Sequence, residues 1–408
     1  MKKSNLQVIP LLIYGITFYS SFRNANIYLF EEATVLPVLL DYLFLFTIVL
    51  TLIFNLSKKK FGNTYHIDKR IMAILVLVIW IILQSGFNSL YSQMNFIPRN
   101  LITSLLAFIV IVTGIDHPKV FNKAFWAFIL GAVISAIIPL IKFNEIIGVR
   151  TKVVSGTYYI GGLWNQVLVS FISTGWLILA MTQKENTNLR PKLLAFFSFI
   201  IIWIGSFAGL SRSFFVLTIF SMVVYTMTSK NIKNNIRLLL LAVGAFLLIS
   251  FIMPEAVSGI ITRLMETFGN LSEEARLTIW QSYLRNFPSY FLQGAMGDYR
   301  NYGTSSVAFG THSVFLNWFV QYGLIGVMFF TAVLISTWKE IKFFKKHERQ
   351  QFSMLIAWLI AYLVQISISE TGFVHASFYV GLAFVNSWSK FTEKNGHQLS
   401  NLDRRIVG

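Results

Sequence analysis

The chain has no cysteine, and this excludes disulfides, a thiolate nucleophile and any cysteine-based metal site. Charge is nearly as scarce. Only 12% of the 408 residues are Asp, Glu, Lys or Arg, about half the share of a soluble globular domain, whereas 55% are hydrophobic. A large soluble catalytic domain is therefore excluded, and the composition predicts an all-α integral membrane protein. Acidic residues are few as well, 17 against 34 basic, which leaves a net charge of +17. In a membrane protein such an excess is tested first as orientation charge. The histidines are too few and too widely spaced for a metal site, and no cofactor is implied.

Apolar runs of spanning length fall near 6–22, 34–56, 71–87, 101–115, 124–143, 159–182, 193–209, 213–228, 238–253, 313–338, 352–369 and 372–389. They predict about twelve transmembrane helices: nine within 1–253, a large extracytoplasmic loop at 254–312, three more helices within 313–389 and a cytoplasmic tail at 390–408. The start, Met1-Lys2-Lys3 before an apolar run, has the look of a signal peptide, but no small-residue cleavage site follows before Arg23, so it is read as a retained first span. With the amino terminus inside, 24 of the 34 basic residues fall on inner segments, and both termini are expected in the cytoplasm. The basic residues are scattered over these inner loops without a binding motif, so no nucleic-acid partner is expected.

Leu193 to Thr228 forms 36 nearly continuous apolar residues. As one helix it would be about 54 Å long, against a hydrocarbon core of about 30 Å. It must turn back, with Gly209-Leu210-Ser211-Arg212-Ser213 as the outer apex. Ten basic residues remain for the outer side, eight of them arginine: Arg23, Arg99, Arg150, Arg212, Arg263, Arg276, Arg285 and Arg300. Snorkelling to lipid headgroups accounts for Arg23 and Lys142. Arginine is otherwise the side chain that pairs bidentately with phosphate.

Pro254 to His312 is the only long connection. Within it Ser272-Glu273-Glu274 supplies a cap and first-turn acids, and Pro288 closes the pattern, so 273–287 is predicted as an amphipathic helix. One face carries Arg276, Trp280, Tyr283 and Phe287, and Arg285 points to the opposite side. The competing interpretation is a helix lying on the membrane surface with aromatic anchors. On the tenth span His312, Phe319, Gly323 and Gly326 share a face, with the glycines permitting close helix contact. A lone histidine at a helix start is also a common cap or surface residue; His375, beside Glu370, fits that description better still.

His312-Ser313-x9-Gly323-x2-Gly326 resembles the signature of the O-antigen ligase and O-antigen polymerase superfamily. Leu210-Ser211-Arg212-Ser213 resembles that family's membrane arginine, and Ala275-Arg276-Leu277 with Trp280 resembles the arginine opening its large loop. Asn286-Phe287-Pro288 through Gly297 resembles its Asn-Pro to Gly-x-Gly stretch, with Phe287 interposed and the Gly294-x2-Gly297 spacing one residue longer. The similarity runs from about 205 to 330.

The resemblance implies a glycosyltransferase of the cytoplasmic (inner) membrane with an extracytoplasmic active site. Its donor would be an undecaprenyl-diphosphate-linked glycan. Arg212 and Arg276 would bind the diphosphate and stabilise the leaving group without a metal. His312 would either accept the proton of the attacking hydroxyl or hydrogen-bond the acceptor without taking it. Arg150, Trp280, Tyr283 and Asn317 are secondary substrate-binding candidates. The acceptor is a lipid-linked glycan for a polymerase of O-antigen or capsule polysaccharide, or lipid A-core for a ligase in lipopolysaccharide biosynthesis. Polymerase is the expectation, since no lipid A-core recognition feature is readable. Membrane lipids and a chain-length regulator are the other expected partners. A twelve-span transporter or flippase is a lesser alternative, disfavoured by the absence of a detectable internal repeat and by the asymmetric loop.

Overall fold

A computed structural model describes residues 5–29, 35–59, 69–92, 99–141, 174–182, 189–208, 212–229, 232–252, 275–294, 313–368 and 376–388, with isolated helical positions between 254 and 265. The described residues are helical and contain no strand. The helices are α1 (Asn5–Leu29), α2 (Val35–Lys59), α3 (Lys69–Ser92), α4 (Arg99–Gly114), α5 (Pro118–Ile141), α6 (174–182), α7 (Leu189–Ala208), α8 (Arg212–Ser229), α9 (Ile232–Ile252), α10 (Ala275–Arg285), α11 (Phe287–Tyr290), α12 (Val314–His347), α13 (Arg349–Ile368) and α14 (376–388). Every apolar run picked out in the sequence contains helix. Pro118–Ile138, Leu189–Ser206 and Phe315–Lys345 are long and apolar enough to cross a membrane. Shorter apolar helices accompany them at Val8–Arg23, Leu39–Asn55, Ile71–Ser85, Leu101–Gly114 and Val216–Ser229. This is a helical membrane protein.

Between helices in lipid, apolar burial supplies little driving force, so small residues and interhelical hydrogen bonds decide which surfaces meet. The α1–α5 seam illustrates this. Ser21 donates its hydroxyl to the carbonyl of Phe128 at 2.7 Å, and Ser135 donates to the carbonyl of Ser21 at 2.8 Å. Gly131 lies so close to α1 that a Cβ there would overlap Ser21 Oγ and the carbonyl oxygen of Phe18. Gly205 of α7 lies equally close to the Ala136 carbonyl of α5. All described residues of α14 are buried, and Phe384 sits edge-on against Phe121, Phe125 and Phe128 of α5. A helix buried on every side belongs inside a bundle, and the described residues of α14 show that burial. By contrast α9 leaves Leu239, Leu247, Leu248 and Phe251 outward, a lipid-facing pattern.

Three local expectations are revised. The run 193–228 is interrupted as expected, with α7 ending at Ala208 and α8 starting at Arg212. Its arms, however, are bridged by Trp176 of α6, which meets Phe199 of α7 at 5.7 Å and Tyr225 of α8 at 5.2 Å between ring centroids. Arg23 does not snorkel: its Nε and Nη2 donate to the two carboxylate oxygens of Asp41 at 2.7 and 2.8 Å, and Tyr19 also donates to Asp41. Both charged side chains are mostly buried, where the paired form is far cheaper than either alone. Lys142 lies outside the described residues. Finally, the helical positions 257, 258, 261, 262 and 265 fall where the sequence suggests loop, with Thr262 donating to the Ser258 carbonyl one turn back.

Candidate functional site

The loop helix forms, but it ends two residues earlier than expected. α10 stops at Arg285, and a second short helix, α11, begins at Phe287. Pro288 therefore opens a helix rather than closing one: in a first turn its missing N–H costs nothing and its fixed φ is already helical. Tyr290 reaches back and donates its hydroxyl to the carbonyl of Tyr283 at 2.6 Å, tying α11 to α10.

The aromatic face of α10 docks on protein. Ile279, Tyr283, Tyr290 and Val320 form a buried cluster, with Trp280, Phe287, Leu316 and Phe319 packed around it. Phe287 meets the ring of Phe319 at 5.4 Å, and Phe291 stacks on Phe319 at 6.1 Å. The face read from the sequence is thus an interface with the first two turns of α12, not a row of lipid anchors. Arg285 is exposed on the other side, as the helical spacing predicts. Arg276 stands one turn before Trp280 on the same helix.

α12 starts at Val314, with Ser313 as an extended N-cap residue. Asn317 donates its backbone N–H to the Ser313 carbonyl and accepts a hydrogen bond from Gln321 through Oδ1 at 3.0 Å. Trp280 and Tyr283 are thus gathered at the α10–α12 contact, whereas the hydrogen bonds of Asn317 stay within the start of α12. His312 directly precedes the N-cap residue in sequence, but it and Arg150 lie outside the described residues, as does His375. Arg212 is the first residue of α8; of the side chains of Arg212 and Arg276 nothing is described.

The glycines of the motif do something other than let two helices approach. Gly323 has φ 63° and ψ −169°, a backbone region essentially reserved for glycine, and it breaks α12 in two. The end of the loop fills the break. Leu324 donates its N–H to the Phe291 carbonyl at 2.7 Å, instead of to Val320 one turn back. Gly294, itself at φ 85°, lies against the Gln321 carbonyl, and a Cβ on Gly323 would run into the main chain of Leu292 and Gly294. Beyond the break, a Cβ on Gly326 would overlap Tyr322 Cβ and touch the Trp318 ring, so the second glycine makes room for the folded-back turn. The face expected to run from Phe319 to Gly326 is therefore interrupted at Gly323.

Two residues that the sequence reading did not single out complete this junction. Trp80 of α3 donates its indole N–H to the Tyr322 carbonyl at 3.0 Å. Gln84, one turn further along α3, donates its amide to the Gln293 carbonyl at 2.6 Å. The available signal was a polar amide inside an apolar run, which in a membrane helix faces protein rather than lipid.

The O-antigen ligase family model matches residues 197–331, from within α7 through the break in α12. No curated protein matches the chain. The matched segment contains Arg212, the whole of α10 and α11, both glycines of the junction and His312. Over this segment, about a third of the chain, the protein is similar to the O-antigen ligase family.

Proposed function

We propose that this protein is a surface-polysaccharide polymerase that extends O-antigen or capsule glycans at the outer face of the cytoplasmic membrane. It transfers the glycan from an undecaprenyl-diphosphate carrier to a lipid-linked repeat unit. The carrying observation is the packing of α10, the helix of Arg276, in one cluster with the first two turns of α12, the helix that follows His312 in sequence. In a single displacement the acceptor hydroxyl oxygen bonds to the anomeric carbon, and the bond from that carbon to the diphosphate oxygen breaks with its electron pair leaving on the diphosphate. The hydroxyl proton passes to His312. Guanidinium groups at Arg212 and Arg276 offset the charge developing on the leaving group, and inversion follows from the single step.

In this proposal the chain crosses the membrane twelve times, with both termini inside and 254–312 outside. The side-chain contacts support alternating spans, because each pair joins residues that such threading places at similar depth. Asn55 meets Thr113 near two inner ends, Tyr362 stacks on Phe378 in outer halves, and Arg349 donates to the Thr228 carbonyl at a shared inner end. Membrane lipids surround the spans, and a chain-length regulator would act on this enzyme from outside.

The test is a reconstituted assay with a defined lipid-linked repeat unit as both donor and acceptor. A ladder of products stepping by one repeat unit is expected. Arg212→Ala and Arg276→Ala should remove it, His312→Gln should slow it by roughly 10² to 10⁴, and Arg285→Ala should leave it nearly intact. A ladder formed by His312→Gln at the wild-type rate would make the histidine a cap. A second acceptor is favoured by the description of the matching family: a product that forms only when lipid A-core is added would make this a ligase.

A further inference from the structure

We infer that Trp80 and Gln84 of α3 are positioning residues for glycan transfer: they hold the carboxyl end of the loop in the break of α12, and so set the aim of the site. The inference rests on the reading above and adds to it a helix that lies outside the matched segment 197–331. Their bonds reach both sides of the break. Trp80 takes the carbonyl of Tyr322, the last residue before Gly323, and Gln84 takes the carbonyl of Gln293, the residue before Gly294. One face of α3 thereby grips both main-chain segments that cross at the junction.

That geometry is well suited to positioning. The segment 291–294 connects directly to α11 and, through the Tyr290–Tyr283 bond, to α10. The first half of α12 carries Asn317 and begins two residues after His312. A shift of either strand relative to the other would move the Arg276 helix against the histidine. In low-dielectric surroundings the carbonyls at a helix break must find donors, and a neighbouring helix is the ordinary source. What is specific here is that the donors go to both partners of the crossing.

Gln84 also offers a clean test. Its side chain is buried, and its Oε1 finds no hydrogen-bond partner among the described residues. Gln84→Met removes one hydrogen bond together with one unsatisfied buried oxygen and takes the donor from the Gln293 carbonyl, so folded yield is measured beside turnover. Trp80→Phe removes the indole N–H and keeps most of the ring.

Each variant should be purified at wild-type yield and assayed on the defined lipid-linked repeat unit, with kcat and KM separated. We expect kcat to fall about ten- to hundredfold with KM for the donor within about twofold. Amide exchange should quicken in peptides covering 286–294 and 320–326 and stay unchanged in α1 and α5. The double variant should be no slower than the worse single one, because the two bonds secure one crossing. Wild-type kcat in Gln84→Met, or loss of activity only in step with loss of folded protein, would overturn the inference. Absence of any transfer by the wild-type protein would instead overturn the polymerase reading, and in that case the exchange pattern alone decides whether α3 secures the crossing.

Discussion

The α1–α5 seam and the α12 junction are both tight contacts built around glycine, yet they are made in opposite ways. At the seam, Gly131 stays within a regular helix and its missing side chain lets the hydroxyls of Ser21 and Ser135 reach carbonyls across the gap. At the junction, Gly323 abandons the helix, and main chain meets main chain. The first arrangement keeps every helical hydrogen bond and adds side-chain bonds to them. The second diverts the Leu324 N–H from its own helix to the loop. A seam of the first kind holds the bundle together, whereas the second joins two segments that must be held in register with each other.

The sharpest way to break that contrast is Gly323→Ala. The side chain would sit in a glycine-only region, costing about 1–3 kcal/mol before its overlap with the loop is counted. Turnover per folded molecule should fall by about a hundredfold or more, in addition to the loss of melting temperature that this cost brings to the detergent-solubilised protein. Turnover within about threefold of wild type would show that the break does not matter to the site.

Gly131→Ala should cost stability alone. The added methyl meets the Phe18 carbonyl, which cannot rotate away, so the protein should lose about 2–3 kcal/mol of stability. Activity per folded molecule should remain near wild type. If turnover falls while stability does not, the seam communicates with the site and the contrast fails.

A smaller effect is expected at the side-chain joint between α1 and α2. Arg23→Leu strands Asp41 and should destabilise by about 1–2 kcal/mol, since the pair retains some exposure. Converting both to leucine should recover most of that loss. A double variant no more stable than the single one would indicate that the Tyr19 hydroxyl, rather than the arginine, is what Asp41 needs.

How much of this was legible in the sequence depends on the range of the signal. Apolar runs mark helices because each run reports on its own residues, and α1 to α5 begin or end within a few residues of the expected limits. The aromatic face of α10 was legible for the same reason, as a spacing within one helix. Pairings between distant helices leave no such trace. Nothing in the run 193–228 announces that Trp176 bridges its two arms, and nothing links Arg23 to an acid on the next helix. Pro288 was misread because a proline that stops one helix and a proline that starts the next look alike until the position of Asn286 between them is known. Gly323 was misread because small residues in membrane helices usually signal close packing, and only the backbone angles reveal a break.

The crossing at Gly323 also bears on which positions could drift over evolutionary time. The contacts there are carried by the carbonyls of Phe291, Leu292 and Gln293 and by the amides of Gly294 and Leu324, atoms that every non-proline residue possesses. The Leu292 side chain points away, two-thirds exposed. Selection can therefore fix the glycines while leaving Leu292 nearly free. A signature of widely spaced glycines with unspecified residues between them is what such a joint would leave in a lineage: the letters that vary belong to side chains outside the crossing, and those that persist are the ones that have none.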